Sequence, residues 1–273
     1  MSGKKILAFD LDNTLIDNDG EFYKGIKEVL LELKTNNFEL FLVTGRIKFS
    51  LFSLPIFNDI REIFNENILS NDGNLHIIHE KDELINQIDP LYLNRFISVH
   101  NDNYDWIIET NNNLFYTELS STLILSNFSF IDQSYFMYTT DIKSIINEIK
   151  GILNIYAFPK EILTLDEWKN SFYKIYYPFE KQTLFEKFIK ISPKYTDKYN
   201  GLNSVLKKNN LLVKDLISFG NGNNDISLIK NSSVGVAVKN SHPKLIEYSD
   251  VHLNEDLSVF LKEYLVNKLE VRK

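Results

Sequence analysis

The sequence predicts an α/β fold: a parallel sheet flanked by helices and interrupted by an inserted α+β module. Three observations carry that expectation. From Lys5 to about residue 81, short apolar runs alternate with helically spaced ones. From residue 197 onward the same alternation returns. Between them, residues 82–178 carry many aromatics, short alternating runs and polar turns, without that rhythm. Strand–helix alternation marks βαβ units and a parallel sheet, and such a composition shift marks a separate module. At 273 residues the chain is long enough for two modest domains.

The elements follow in order. Lys5–Phe9 is a short apolar run closed by Asp10, as in a buried parallel strand. Glu21–Lys34 places Ile26, Val29, Leu30 and Leu33 on one helical face. Phe38–Val43 is a second apolar run, closed by Thr44-Gly45-Arg46, and Arg46–Phe52 opens a helix that stops near Pro55. In the middle, Asp105–Thr110 alternates, Asn111-Asn112-Asn113 predicts a turn and Ile142–Ile149 a helix. Phe179–Ile191 is expected as one helix before Pro193. Leu202–Lys208 is helical, Leu216–Phe219 a strand, Gly220–Asn224 a turn and Asp225–Lys230 a helix. Val234–Val238 and Val251–Leu253 predict the last strands. Leu257, Phe260, Leu261, Tyr264 and Leu265 form one face of a final helix. The expected domains are 1–81 with 179–273, and 82–178.

Composition narrows the function. Hydrophobic residues make up 44% and charged residues 25%, values ordinary for a globular protein. A net charge of −7 disfavours non-specific binding to nucleic acid or to anionic membranes. There is no cysteine, which excludes disulfides, thiolate metal sites and cysteine nucleophiles and fits a reducing compartment. Ile6–Phe9 is too short for the roughly 7–15 apolar residues of a signal peptide, so a soluble, cytoplasmic protein is expected.

Four segments carry chemistry, each after a strand or at a helix start. Asp10-Leu11-Asp12-Asn13-Thr14-Leu15 follows the first strand, and ligands of open parallel sheets bind at the carboxyl ends of strands. Carboxylates at i and i+2 can converge, one as nucleophile and the other handling protons. They also form a hard-oxygen environment suited to Mg²⁺. Taken alone, Asp12-Asn13-Thr14 also fits a helix-capping turn. A calcium loop would need glycine where Leu15 stands. Thr44-Gly45 offers a hydroxyl and backbone N–H groups to a phosphate, or a plain helix cap. Lys198 precedes a helix and could face a phosphoryl group; most lysines are simply solvated. Gly220-Asn221-Gly222-Asn223-Asn224-Asp225 lacks the third glycine of a dinucleotide fingerprint and suits metal or phosphate better.

In this order the four segments resemble the four motifs of the haloacid dehalogenase-like phosphohydrolases, nearest to their Cof-type (type IIB) sugar-phosphatase-like branch. Asn71-Asp72-Gly73-Asn74 and Val234-Gly235-Val236-Ala237-Val238-Lys239-Asn240-Ser241 add to it. The resemblance covers about residues 4–80 and 197–270 and implies a Rossmann-like core with an inserted α+β cap, substrate lying between them. It implies Asp10 as nucleophile, forming an aspartyl-phosphate, and Asp12 as general acid and then base. Thr44, Gly45, Lys198 and Asn224 would hold the phosphoryl group. Mg²⁺ would be held by Asp10, Asp12, Asn221 and Asp225. The substrate would be a small phosphorylated metabolite, a sugar phosphate by analogy. Phosphohexomutase and a degenerate phospho-ligand-binding protein are the alternative readings.

Two departures stand out. The family's fourth motif opens with aspartate where this chain has Asn221, which removes a negative charge beside the cation and predicts weaker Mg²⁺ binding. The stretch from Tyr177 to Lys198 is short of strand-like sequence, which leaves Lys194 as a competitor to Lys198. His76, His79, His100, His242 and His252 show no metal spacing, and Trp106 and Trp168 are expected in the core of the inserted module.

Overall fold

The computed structural model describes residues 5–79, 81–100, 104–117, 128, 131–140, 148–159, 181–184 and 189–270. It divides into two compact units, Met1–Ile85 with Asp197–Lys273, and Asn86–Thr196. The second unit therefore runs past residue 178, the boundary expected from sequence. Trp168 and most of the helix expected over Ile142–Ile149 lie outside the described residues.

The first unit is built on a sheet with eight strands among the described residues: β1 Ile6–Phe9, β2 Glu39–Val43, β3 Ile68–Ser70, β4 Leu75–Ile77, β5 Glu83–Leu84, and then β12 Leu216–Gly220, β13 Val234–Ala237 and β14 Val251–His252. Their spatial order is β14-β13-β12-β1-β2-β3-β4-β5. From β14 to β3 every pairing is parallel, and β4 and β5 are added antiparallel. All four residues of β1 are fully buried, which is why that strand reads as an unbroken apolar run. Ile6 and Ala8 pack with Phe41, Val43, Leu202, Val205 and Leu206. Phe9, on the opposite face, stacks on Phe219 with ring centroids 4.8 Å apart. The first helix, Ile26–Thr35, buries Ile26, Val29, Leu30 and Leu33, the stripe expected from their spacing. It begins five residues later than expected from Glu21, because Gly25 takes a left-handed conformation with φ 78°.

The chain leaves β1 toward β2 on one side, and leaves β12 toward β13 on the other. The carboxyl ends of β1 and β12 thus flank the point where strand order reverses, the place where such sheets open a crevice.

The second unit holds a six-stranded sheet among the described residues: β6 Tyr104–Thr110, β7 Leu114–Tyr116, β8 Phe136–Tyr138, β9 Ile152–Pro159, β10 Lys181–Leu184 and β11 Ile189–Ser192, in the order β10-β11-β9-β6-β7-β8. One face carries Trp106, Ile108, Ile152, Ile155, Ala157 and Ile191, packed with Leu93 and Ile97 of the helix Pro90–His100. Trp106 is core, as expected. The single helix expected over Phe179–Ile191 is not formed; β10 and β11 stand there instead. Leu184, Phe185, Phe188 and Ile189 imitate a helical face in sequence. Pairing of β11 with β9 puts Ile191 into the core, and that burial overrides local spacing. The same pairing extends the unit to Thr196. Among the described residues, no helix is long and apolar enough to cross a membrane.

Candidate active site

Asp10 stands directly past β1, at the crevice. Its N–H donates to the Phe219 carbonyl at 2.9 Å, which ties it to β12. Its carboxyl is buried, and Oδ1 accepts a hydrogen bond from Lys198 Nζ. Lys198 opens the helix Lys198–Lys208, whose N-terminus is capped by the Asp197 carboxylate accepting from the Asn200 N–H at 2.8 Å. Gly201 lets that helix come close. A Cβ there would lie 2.2 Å from the Gly73 carbonyl oxygen, so a side chain would push Lys198 away. Lys198 is fully buried, whereas Lys194 lies in the other unit with its Nζ 5.4 Å from the Tyr195 ring centroid.

The turn after β12 supplies the second partner. Asp225 is fully buried, and its Oδ1 accepts from Lys198 Nζ at 2.5 Å. Its Oδ2 accepts from the N–H groups of Asn221 and Gly222 at 3.0 and 2.8 Å. Asp225, expected as a metal ligand, is thus engaged in holding the lysine and shaping the turn. Asn221 Oδ1 faces Thr14 Oγ1 at 3.4 Å, and the same hydroxyl reaches Asp10 Oδ2 at 3.2 Å.

Asp12 takes a partner that sequence reasoning does not name. Arg46 Nε lies 3.0 Å from both Asp12 carboxylate oxygens, and Nη2 lies 2.6 Å from Oδ1. Arg46 Nη1 donates to Ser50 Oγ at 3.3 Å, and the Arg46 N–H donates to Thr44 Oγ1 at 3.1 Å. The forked guanidinium fixes the carboxylate that is expected to move protons. A signal for it exists in the sequence: Arg46 follows Thr44-Gly45 at a strand end. Asp72, which also has no role assigned from sequence, accepts from Asn224 Nδ2 at 3.3 Å. Thr44 is buried; Gly45 is half-buried beside Asp72 and Asn224.

The charges do not balance. Burial pushes the Asp10 carboxyl up to about 7, the Asp225 charge pushes the same way, and Lys198 pulls it down. Burial lowers the Lys198 ammonium, but Asp10, Asp225 and Asp72 outweigh it and hold it above the ordinary lysine value. Two buried carboxylates against one ammonium leave surplus negative charge. The donors beside it are the Asp10 carboxylate and the Asn221 side-chain carbonyl, both hard oxygens. Surplus negative charge and hard oxygens fit a small divalent cation such as Mg²⁺. Among the described residues, no three His, Asp or Glu side chains come together as a metal cluster. Position 221 brings a neutral amide rather than a carboxylate to this set.

Comparison with known proteins identifies the family and the fold. The sequence profile of the haloacid dehalogenase-like hydrolases matches residues 7–256, and the chain belongs to that family. YkrA of Bacillus subtilis (strain 168), classed provisionally as a phosphatase, is 21% identical over 247 residues, 90% of each chain. A haloacid dehalogenase-like hydrolase from Bacteroides thetaiotaomicron superposes with a TM-score of 0.78 at 18% identity, over 96% of this chain and 99% of that one. The subclass IIB sugar phosphatase BT4131 gives a TM-score of 0.73 at 18% identity, over the same 96% and 99%. TM0651 from Thermotoga maritima gives 0.78 at 19% identity, over 95% and 97%. These structures share the fold.

Proposed function

We propose that this hydrolase is a Mg²⁺-dependent phosphatase acting on small phosphorylated metabolites, sugar phosphates foremost, through an aspartyl-phosphate on Asp10. The observation that carries the reading is the placement of Asp10. It is a buried carboxylate at the strand-order reversal, with Lys198 on one oxygen and Thr14 on the other. In the first displacement an Asp10 oxygen bonds to phosphorus, the bond to the leaving oxygen breaks, and Asp12 gives that oxygen a proton. In the second, water bonds to phosphorus, Asp12 takes its proton, and the Asp10–phosphorus bond breaks. Thr44, Gly45, Asn224 and Lys198 would hold the phosphoryl oxygens, and Arg46 would keep Asp12 in place. Asp10, the Asp12 carbonyl and Asn221 would hold Mg²⁺, which supplies neutralisation of phosphoryl charge when bound. The unit Asn86–Thr196 is the proposed cap, and its side chains choose the substrate. The sugar class is supported by the subclass IIB sugar phosphatase among the structural neighbours.

The test is phosphate release from p-nitrophenyl phosphate and a panel of sugar phosphates, with Mg²⁺, with EDTA and with Asp10→Asn. Release is expected to need both Mg²⁺ and Asp10, and Asp10→Asn is expected to lose at least about a thousandfold. One observation favours a second reading, a protein that binds a phosphorylated ligand without turnover: Asn221 in place of a carboxylate. Calorimetric binding of a sugar phosphate by folded, Mg²⁺-saturated protein that releases no phosphate would establish that reading instead.

A further inference from the structure

The segment Asn71-Asp72-Gly73 carries three consecutive positive φ angles, 56°, 53° and 89°. Left-handed backbone at a bulkier residue than glycine persists where the surroundings over-determine it, and it clusters at functional sites. Here the surroundings are explicit. The Asn71 N–H donates to the Arg46 carbonyl at 2.9 Å and the Asp72 N–H to the Thr44 carbonyl at 3.0 Å. Gly73 packs on Gly201 of the Lys198 helix. The turn is therefore bolted between the two segments expected to hold a phosphoryl group. The bolting aims the Asp72 side chain at a third. Its Oδ1 accepts from Asn224 Nδ2 at 3.3 Å. A Cβ on Gly45 would come within 2.9 Å of that oxygen, so glycine at 45 leaves room for the carboxylate. The other end of the Asn224 amide is also fixed in direction: its Oδ1 lies 2.8 Å from where a Cβ on Gly222 would stand.

A carboxylate beside an anion site is electrostatically adverse unless it serves some other purpose. The geometry points to one. We propose that Asp72 is a positioning residue that orients the Asn224 amide, so that Nδ2 rather than Oδ1 faces the phosphoryl pocket. An asparagine amide can turn over and present either end. A carboxylate accepts and never donates when ionised, so it selects the orientation with nitrogen toward it. Nδ2 carries two hydrogens; with one on Asp72, the second is available to a phosphoryl oxygen. The inference rests on the phosphatase reading above and names a residue that the resemblance left without a role.

The test uses the full-length protein with Mg²⁺ and inorganic phosphate as the probe, its Kd measured by calorimetry beside kcat and KM on p-nitrophenyl phosphate. Asp72→Gly keeps the positive φ and removes the acceptor. It is expected to raise the phosphate Kd and KM about tenfold with kcat within about threefold. Asp72→Asn keeps a side-chain oxygen at the same reach and is expected to restore most of that loss. In an Asn224→Ala background, Asp72→Gly is expected to add less than about twofold, because the amide it orients is gone. Circular dichroism checks folding; if Asp72→Gly does not fold, Asp72→Ser, too short to reach Asn224, replaces it. A phosphate Kd unmoved by Asp72→Gly, or the same tenfold loss in the Asn224→Ala background, overturns the inference while leaving the phosphatase reading intact. Wild-type protein that neither binds inorganic phosphate nor releases it from any ester overturns both.

Discussion

Each unit buries a cluster of polar side chains on its sheet, and the two clusters are built differently. In the first unit, Asp10 and Asp225 come from segments after the parallel strands β1 and β12 and Lys198 from the start of the helix Lys198–Lys208, and all are charged groups. In the second, Glu109, Asn154, Tyr156 and Ser192 stand on antiparallel strands of a mixed sheet, on the face opposite the Trp106 core. Glu109 Oε2 accepts from Asn154 Nδ2 at 2.7 Å and from Tyr156 Oη at 2.9 Å, and Ser192 Oγ donates to Asn154 Oδ1 at 2.6 Å. Asn154 and Tyr156 are neutral donors on the neighbouring strand, held by strand register. The first cluster carries a surplus of negative charge that a cation can exploit. The second closes hydrogen bonds that burial would otherwise leave open. Burial alone does not mark a reactive site; unbalanced charge at a strand-order reversal does.

Substitution of one member from each cluster gives the largest expected effect and the most direct way to break this contrast. Lys198→Met is expected to lower kcat/KM by about a hundredfold to a thousandfold, since it removes the cation aimed at the reacting centre. Tyr156→Phe is expected to leave kcat/KM within about twofold and to lower unfolding free energy by about 1 kcal/mol, the worth of one buried hydrogen bond. Steady-state kinetics with urea unfolding measures both. A Tyr156→Phe variant as slow as Lys198→Met would place the second cluster in the reaction and erase the distinction.

The first unit is far more legible in the sequence than the second, for a physical reason. Strands of a parallel sheet buried on both faces are continuous apolar runs, so Ile6–Phe9 and Glu39–Val43 stand out, with their chemistry at the carboxyl ends. One face of the second unit's sheet is apolar, the other mixes Ile107 and Phe158 with Glu109, Asn154 and Tyr156, and its strands join over long sequence distances. Ile191 belongs with Ile155 and Ile108, a grouping that no local window contains. That is why Phe179–Ile191 reads as a helix. Within the site, Asp10, Asp12, Thr44, Lys198, Asn221 and Asp225 are legible as motif positions. The contacts of Arg46 with Asp12 and of Asp72 with Asn224 are not, because each spans two loops that meet only in the folded sheet.

Asn221 sharpens the contrast from the side of the metal. Restoring a carboxylate there adds one negative charge next to the surplus already present, without altering the second unit. Asn221→Asp is expected to lower the Mg²⁺ concentration for half-maximal phosphate release by about tenfold, equivalent to roughly 1.4 kcal/mol. Mg²⁺ titration of initial rates for the two proteins decides it. An unchanged half-saturation would show that the Asn221 carbonyl already serves as well as a carboxylate.

The smallest expected effect is on stability, and it tests whether the first cluster is strained by its own charge. The Asp10 carboxyl stands at about 7 in the folded protein against an ordinary value of 3.8. Between those values the folded protein keeps a proton that the unfolded chain has released. The unfolded state therefore binds fewer protons, and stability falls as pH rises through that window. Asparagine has no proton to lose, so Asp10→Asn escapes the loss. In EDTA at pH 8 it is expected to melt about 3–8 °C above wild type, and the gap is expected to narrow steadily toward pH 5. Added Mg²⁺ is expected to raise the melting temperature of the wild type and not of Asp10→Asn, because a cation relieves a surplus that the variant no longer has. Melting curves of both proteins across pH, with and without Mg²⁺, carry the test. Equal melting at pH 8 would mean that Lys198 already neutralises Asp10, and the charge imbalance that separates the two clusters would be gone.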